Sequence, residues 1–215
     1  MTNSSTTTSK VFLITGCSTG LGLSLANAVL KFGHQVIATS RNPVGTPSAV
    51  KSVEAQGGTW LPLDVTSSAL EDQFKVAFDV HGRIDVLVNN AGIAVAGAVE
   101  DFPADGYMAM FETNFFGPVK LTKLLVPYLR EQRGGTIVNI SSASTWSGQP
   151  ALAFYASSKA SLNGEWLLFL DSHLELKDHL VDIFYSIQRR AGHRVGTIRH
   201  KRPDGRPRGY ENSIY

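Results

Sequence analysis

Val11-Phe12-Leu13-Ile14-Thr15-Gly16-Cys17-Ser18-Thr19-Gly20-Leu21-Gly22 decides the reading of this chain. Its first four residues are a short continuous apolar run, the pattern of a buried strand. Its last residues open a segment in which Leu21, Leu25, Ala28, Val29 and Phe32 recur at helical spacing, and Gly33 marks where that helix stops. The turn between them is rich in glycine, which supplies backbone angles that a Cβ would block. Bare backbone at a helix N-terminus also suits an anion, because free N–H groups and the helix dipole both favour negative charge there. Strand, glycine turn and helix together form the opening unit of a dinucleotide-binding fold. The spacing is Gly-x-x-x-Gly-x-Gly. At ~7% glycine usage it arises by chance at about 3 in 10,000 start points, so its weight comes from the strand and helix beside it.

Working outward, Gln35 to Ser40 reads as a second strand, and Pro43 to Gln56 as a loop and helix. Trp60 to Leu63 is a third strand, closed by Asp64-Val65. Ser68 to Val80 is a helix with Leu70, Phe74, Ala77 and Phe78 on one face. Ile84 to Val88 is a fourth strand running into Asn89-Asn90-Ala91-Gly92. Asp101 to Leu129 is mostly helical, with a turn signal at Gly117-Pro118. Thr136 to Ile140 is a fifth strand running into Ser141-Ser142. Phe154 to about Leu176 is a helix, and Leu180 to Ile187 a sixth strand. Strands alternating with helices predict an α/β fold, a Rossmann-like doubly wound parallel sheet in a single domain.

The end of the second strand bears on the cofactor. An acid there takes the ribose 2′-hydroxyl of NAD, whereas an arginine accommodates the 2′-phosphate of NADP. This chain has Ser40-Arg41 and no acid, which favours NADP. An arginine that merely ends a strand in water is the other reading.

The whole chain sets further bounds. Its 215 residues and 43% hydrophobic content fit one soluble domain with a full core. The single Cys17 excludes an intramolecular disulfide and fits a reducing, cytoplasmic setting. Residues 1–9 are rich in Ser and Thr and read as a disordered leader. No stretch is apolar for long enough to span a bilayer. The six histidines are scattered without ligand spacing, so no metal is expected. The net charge of +2 conceals an asymmetry. Residues 1–188 carry 12 basic and 16 acidic side chains, and residues 189–215 carry 8 and 2. The basic character belongs to the tail, which has no aromatic interleaving, and no nucleic-acid partner is expected.

The glycine turn, Asn89-Asn90-Ala91-Gly92 and Tyr155-x-x-x-Lys159 stand in order, with Ser142 13 residues before Tyr155. On these motifs the chain from about Lys10 to Gln188 resembles the short-chain dehydrogenase/reductase family in its single-domain form. The resemblance implies a catalytic tetrad. Tyr155 would be the general acid for carbonyl reduction and the base for alcohol oxidation. Lys159 would assist its proton transfer and hold the nicotinamide ribose. Ser142 would polarise the substrate carbonyl, and Asn114 would hold a water linking Lys159 to solvent. Elementary chemistry agrees: a free tyrosine titrates near ~10, so work at neutral pH needs a nearby cation. A lysine four residues on lies on the same helix face, ~5–6 Å away. The resemblance also implies an NADP site built from Gly16, Ser18, Gly20, Leu21, Gly22, Ser40, Arg41, Asp64, Val65, Asn90, Ala91, Gly92 and Lys123, together with Tyr155 and Lys159. A homodimer or homotetramer is expected from the apolar faces of the two long helices. Ile93, Val95, Trp146, Leu152 and Phe154 point to a small apolar carbonyl or alcohol substrate.

The chain departs from the family after about Gln188. The family's usual Pro-Gly and threonine are missing after strand six, and so are its covering loop and last strand. Residues 189–215 form a basic tail of disordered composition, rich in Arg, Gly and Pro. Two readings of this end stay open: a C-terminus altered by splicing, a frameshift or a gene boundary, or a tail with its own anionic partner. A second reading of the whole follows, a nucleotide-binding or scaffold protein that has lost turnover.

Overall fold

The computed structural model describes residues 9–169. Five strands alternate with helices: β1 (Val11–Ile14), α1 (Gly20–Lys31), β2 (Gln35–Ser40), α2 (Pro47–Glu54), β3 (Thr59–Pro62), α3 (Leu70–Asp79), β4 (Val86–Asn89), α4 (Ala104–Phe111), α5 (Gly117–Glu131), β5 (Thr136–Asn139) and α6 (Ala153–Phe169). The strands form one parallel sheet in the order β3-β2-β1-β4-β5. The expected sixth strand, Leu180 to Ile187, the end of the last helix, the leader's first eight residues and the basic tail lie outside the described residues.

Continuous apolar strands imply a sheet covered on both faces, and it is. Leu13, Ile37 and Leu87 face one way and pack with Phe74 and Ala77 of α3 and with Leu121, Leu125 and Leu129 of α5. Phe12, Ile14 and Val36 alternate to the other face, where α1 buries Leu25, Ala26 and Val29. Asp85 fastens the lower edge of the sheet: its Oδ2 accepts from Val11 N at 2.8 Å, and Arg83 pairs with its other oxygen.

The parallel order reverses direction at β1. The chain goes outward to β2 and β3, then returns to β4 and β5, so the ends of β1 and β4 form a topological switch point. Ligands bind at such a crevice in open α/β sheets.

The expected turn at Gly117-Pro118 is absent. The helix continues through a single widened π turn, Glu112–Phe116, between α4 and α5. The widened spacing shows at Gly117, whose N–H donates to Glu112 O five residues back, and Pro118, which has no N–H to place, follows directly in the first turn of α5. Gly117 has a tertiary cause as well. A Cβ there would lie 2.8 Å from Val65 Cβ, so glycine lets the helix approach the loop after β3.

Candidate functional site

The glycine turn is fitted against the loop after β4. Gly16 has φ +70°, and a Cβ on it would fall 2.7 Å from Ala91 Cα. A Cβ on Gly22 would fall 2.5 Å from both Gly16 O and Asn90 Nδ2. Thr15 Oγ1 accepts from Asn90 N and Ala91 N, both at 3.0 Å. Asn90 Nδ2 donates to Thr15 O at 2.8 Å and Gly16 O at 3.0 Å. Asn90, expected to lie along the adenosine, thus has both amide protons engaged in holding the turn. Gly22→Ala is expected to cost about 2 kcal/mol or more of stability, since the blocking atom is backbone. Denaturant unfolding of the variant measures it.

The turn's outer side is bare. Gly20 has φ +58° and nothing within 4 Å of where a Cβ would sit. Thr19, the residue before α1, makes no side-chain cap, and the first turn of α1 has no acid. The leading N–H groups of this twelve-residue helix therefore have no side-chain acceptor among the described residues, which fits a pyrophosphate. Ser18 and Leu21 border this opening, half-buried. Cys17 is fully buried beneath it, and desolvation pushes its thiol up to about 12, which makes it a packing residue.

At the end of β2, Ser40 is buried and its Oγ accepts from Trp60 Nε1 at 3.2 Å. Arg41 is exposed, with no hydrogen bond or ion pair among the described residues. After β3, the Asp64 carboxylate accepts from Thr66 N at 2.9 Å and Thr66 Oγ1 at 2.7 Å, and Val65 packs into the core. Lys123 is exposed on α5, away from the helix face that buries Leu121, Thr122 and Leu125.

The other cluster joins β4, the π turn, β5 and α6. Lys159 is 4% exposed, and its Nζ donates to Ile140 O at 2.8 Å. Desolvation lowers its pKa to about 8. Asn114 is fully buried in the π turn. Its Oδ1 accepts from Ile93 N at 2.9 Å, and its Nδ2 donates to Ile93 O at 2.8 Å and Ser158 Oγ at 3.0 Å. Gly92 separates this amide from Lys159: a Cβ there would lie 3.1 Å from Asn114 Oδ1 and 3.2 Å from Lys159 Nζ. Tyr155, one helical turn before Lys159, is half-exposed, and its phenol has no hydrogen-bond partner among the described residues.

Ser142 follows β5. Its Oγ accepts from Ser144 N at 3.2 Å and from Ser144 Oγ–H at 2.8 Å. A hydroxyl has two lone pairs and one proton. With Ser144 Oγ–H turned toward it, Ser142 has its own proton to donate to a carbonyl oxygen. Ser144 and Ser158 carry no signal of spacing or composition in the sequence, and Trp60 reads there only as the start of the third strand.

Of the five apolar residues expected near the substrate, Trp146 is 86% and Val95 47% exposed. Phe154 is already occupied, stacked on Tyr107 at 4.8 Å and packed on Phe102 at 5.1 Å. The Phe102 ring lies against Gly97 and Gly106, where a Cβ on either would fall 2.8 Å from it. Gly97 N donates to Ala151 O at 2.9 Å, so the loops after β4 and β5 are latched together beside Tyr155.

A switch-point crevice with a bare helix N-terminus, and a buried lysine on the helix after β5, is the arrangement of a nucleotide-binding α/β fold. The profile of the short chain dehydrogenases matches residues 10–183, and the chain belongs to that family. It is 43% identical over 157 residues to the oxidoreductase claN of Passalora fulva, covering 73% of this chain and 72% of that protein. It is 36% identical to a 3-ketodihydrosphingosine reductase of Bacteroides thetaiotaomicron, covering 72% of this chain and 55% of that one. Two further curated relatives are covered to 57% and 56%, so the chain spans little more than half the length of most of these relatives. Among solved structures, an actinorhodin polyketide ketoreductase variant with NADPH superposes with a TM-score of 0.73 at 29% identity, covering 78% of this chain and 68% of that one. Among the described residues no helix is long and apolar enough to cross a membrane, and no three His, Cys, Asp or Glu side chains cluster as metal ligands.

Proposed function

We propose that this short-chain dehydrogenase is an NADP-dependent oxidoreductase that reduces a carbonyl, or oxidises the matching secondary alcohol, of a small apolar substrate. The observation that carries this reading is the buried Lys159, its pKa lowered to about 8, one helical turn from a half-exposed Tyr155 whose phenol is unengaged among the described residues. When bound, the nicotinamide cofactor supplies or accepts the hydride. Tyr155 gives its proton to the forming alkoxide in reduction and takes it back in oxidation. Ser142 donates its free O–H to the substrate oxygen, fixing it within reach of the Tyr155 phenol.

Lys159 would hold the nicotinamide ribose and is the cation one helical turn from Tyr155. Asn114 Oδ1 accepts from Ile93 N and lies beside Gly92, where its second lone pair would accept a water standing between Lys159 and solvent. The glycine turn, Ser18, Leu21 and Gly22 would hold the pyrophosphate. Ser40 and Arg41 would hold the 2′-phosphate, and Asp64, Val65 and Ala91 would border the adenosine.

The exposed Val95 and Trp146 support an apolar substrate, in line with the polyketide and sphingoid chemistry named for the two relatives. Exposed Met108 and Phe116, on the α4–α5 run, support the expected homodimer or homotetramer. Residues 10–188 are proposed as the catalytic domain and 189–215 as a separate basic tail.

Thermal unfolding with and without cofactor tests the nucleotide reading. NADPH at ~100 times its Kd should add ~2.7 kcal/mol of stability, and NADH less at equal concentration. Arg41→Ala should weaken NADPH about tenfold and leave NADH unchanged, because an exposed guanidinium–phosphate pair lies at the lower end of charged hydrogen bonds. A folded chain stabilised by neither nucleotide would favour the scaffold reading.

A further inference from the structure

We infer that Ser158 is a positioning residue for Tyr155, linking the helix that carries the phenol to the π turn and to the loop after β4. The inference rests on the proposed reductase chemistry.

Ser158 is fully buried, three residues after Tyr155 and one before Lys159. Its hydroxyl donates to Tyr155 O at 2.8 Å and accepts from Asn114 Nδ2 at 3.0 Å. The directions are fixed by chemistry. A carbonyl only accepts, so the serine proton goes to Tyr155 O, and the contact with Asn114 must then run from the amide to the serine oxygen. That assigns the Asn114 amide, whose second proton goes to Ile93 O and whose oxygen takes Ile93 N. One unbroken chain of hydrogen bonds therefore runs from Ile93 through Asn114 and Ser158 to the backbone of Tyr155.

The Tyr155 phenol has no partner of its own among the described residues, so its location depends on how α6 is set. Two neighbouring side chains set it. Lys159 ties α6 to the end of β5 through Ile140 O, and Ser158 ties it to the π turn. Lys159 also carries the site's charge, whereas Ser158 has no proton left to offer substrate and no exposed surface from which to offer it. What remains to Ser158 is geometry: it holds the helix so that the tyrosine and the Asn114–Lys159 gap at Gly92 stay in register. A misplacement of ~1 Å at such a site costs about 100-fold in rate.

The test compares the full chain with Ser158→Ala and Ser158→Thr in NADPH-dependent carbonyl reduction, with NADPH binding measured separately. Ser158→Ala should lower kcat about 10- to 100-fold while KM, NADPH Kd and binding stoichiometry stay within about twofold. Ser158→Thr, whose hydroxyl makes the same backward bond along a helix, should restore most of the rate. If Ser158→Ala does not fold, Ser158→Cys keeps the volume with only a weak donor and takes its place. A kcat within about threefold of the parent overturns the inference while the reductase reading stands. So does a fall in NADPH-binding stoichiometry equal to the fall in kcat, because that reports lost fold. A parent chain that binds NADPH and reduces no carbonyl removes the reductase reading, and this inference with it.

Discussion

Tyr155→Phe is expected to cut carbonyl reduction by ~10²–10⁴-fold, the range attributed to a positioned general acid. NADPH binding should be nearly unchanged. The substitution removes one oxygen and little else. The phenol is half-exposed and has no hydrogen bond to lose among the described residues, so the fold has no reason to weaken. The aromatic packing nearby belongs to Phe154, Phe102 and Tyr107 and is untouched. What disappears is the half-exposed hydroxyl one helical turn from Lys159, the group proposed to pass the proton. Ser142, whose hydroxyl is tied to Ser144, is proposed to bind the substrate oxygen and not to move the proton. Steady-state kinetics beside a binding titration decides the matter. A variant retaining more than about a tenth of the parent kcat would mean that another group moves the proton.

How much of this could be read from the sequence depended on whether the cause was local. The first strand, glycine turn and helix were legible because their signals are local: an apolar run, a residue free of Cβ, a 3.6-residue period. So were the remaining described strands, to within two residues at their ends. Causes that cross the fold were not legible. Gly117-Pro118 resembled a turn because glycine and proline usually make one. Here the glycine answers to Val65 across the site, and the proline to a widened helical turn. Asn90, which the resemblance sets along the adenosine, has a further role that no local pattern shows. Its amide holds Thr15 and Gly16, 75 and 74 residues earlier. Ser158 reaches Asn114 across 44 residues of sequence, and no periodicity announces such a pair.

Lys159→Met is expected to abolish efficient turnover and yet stabilise the nucleotide-free chain at neutral pH. The reason is the lysine's own burial. Its pKa falls from 10.5 unfolded to about 8 folded, with desolvation as the cause. A lowered lysine pKa means that folding works against the charge. Below pH 8 the group is protonated in both states, and the folded state carries the whole penalty, about 3 kcal/mol. Between pH 8 and 10.5 the unfolded chain binds more protons than the folded one, so stability rises with pH. Above 10.5 both forms are neutral and the penalty is gone. Methionine has similar length and no charge. It loses the bond to Ile140 O, which costs about 1 kcal/mol. The net gain at pH 7 is then about 2 kcal/mol, or roughly 4–8 °C in Tm for a domain of this size. The pH dependence separates this cause from better packing alone. The gap between variant and parent should close as pH is raised from 8 to 10.5, whereas a packing gain would persist. A parent chain whose stability is flat through that window would show that Lys159 is not held as a buried cation. The physical basis for its assistance to Tyr155 would then have to be sought elsewhere.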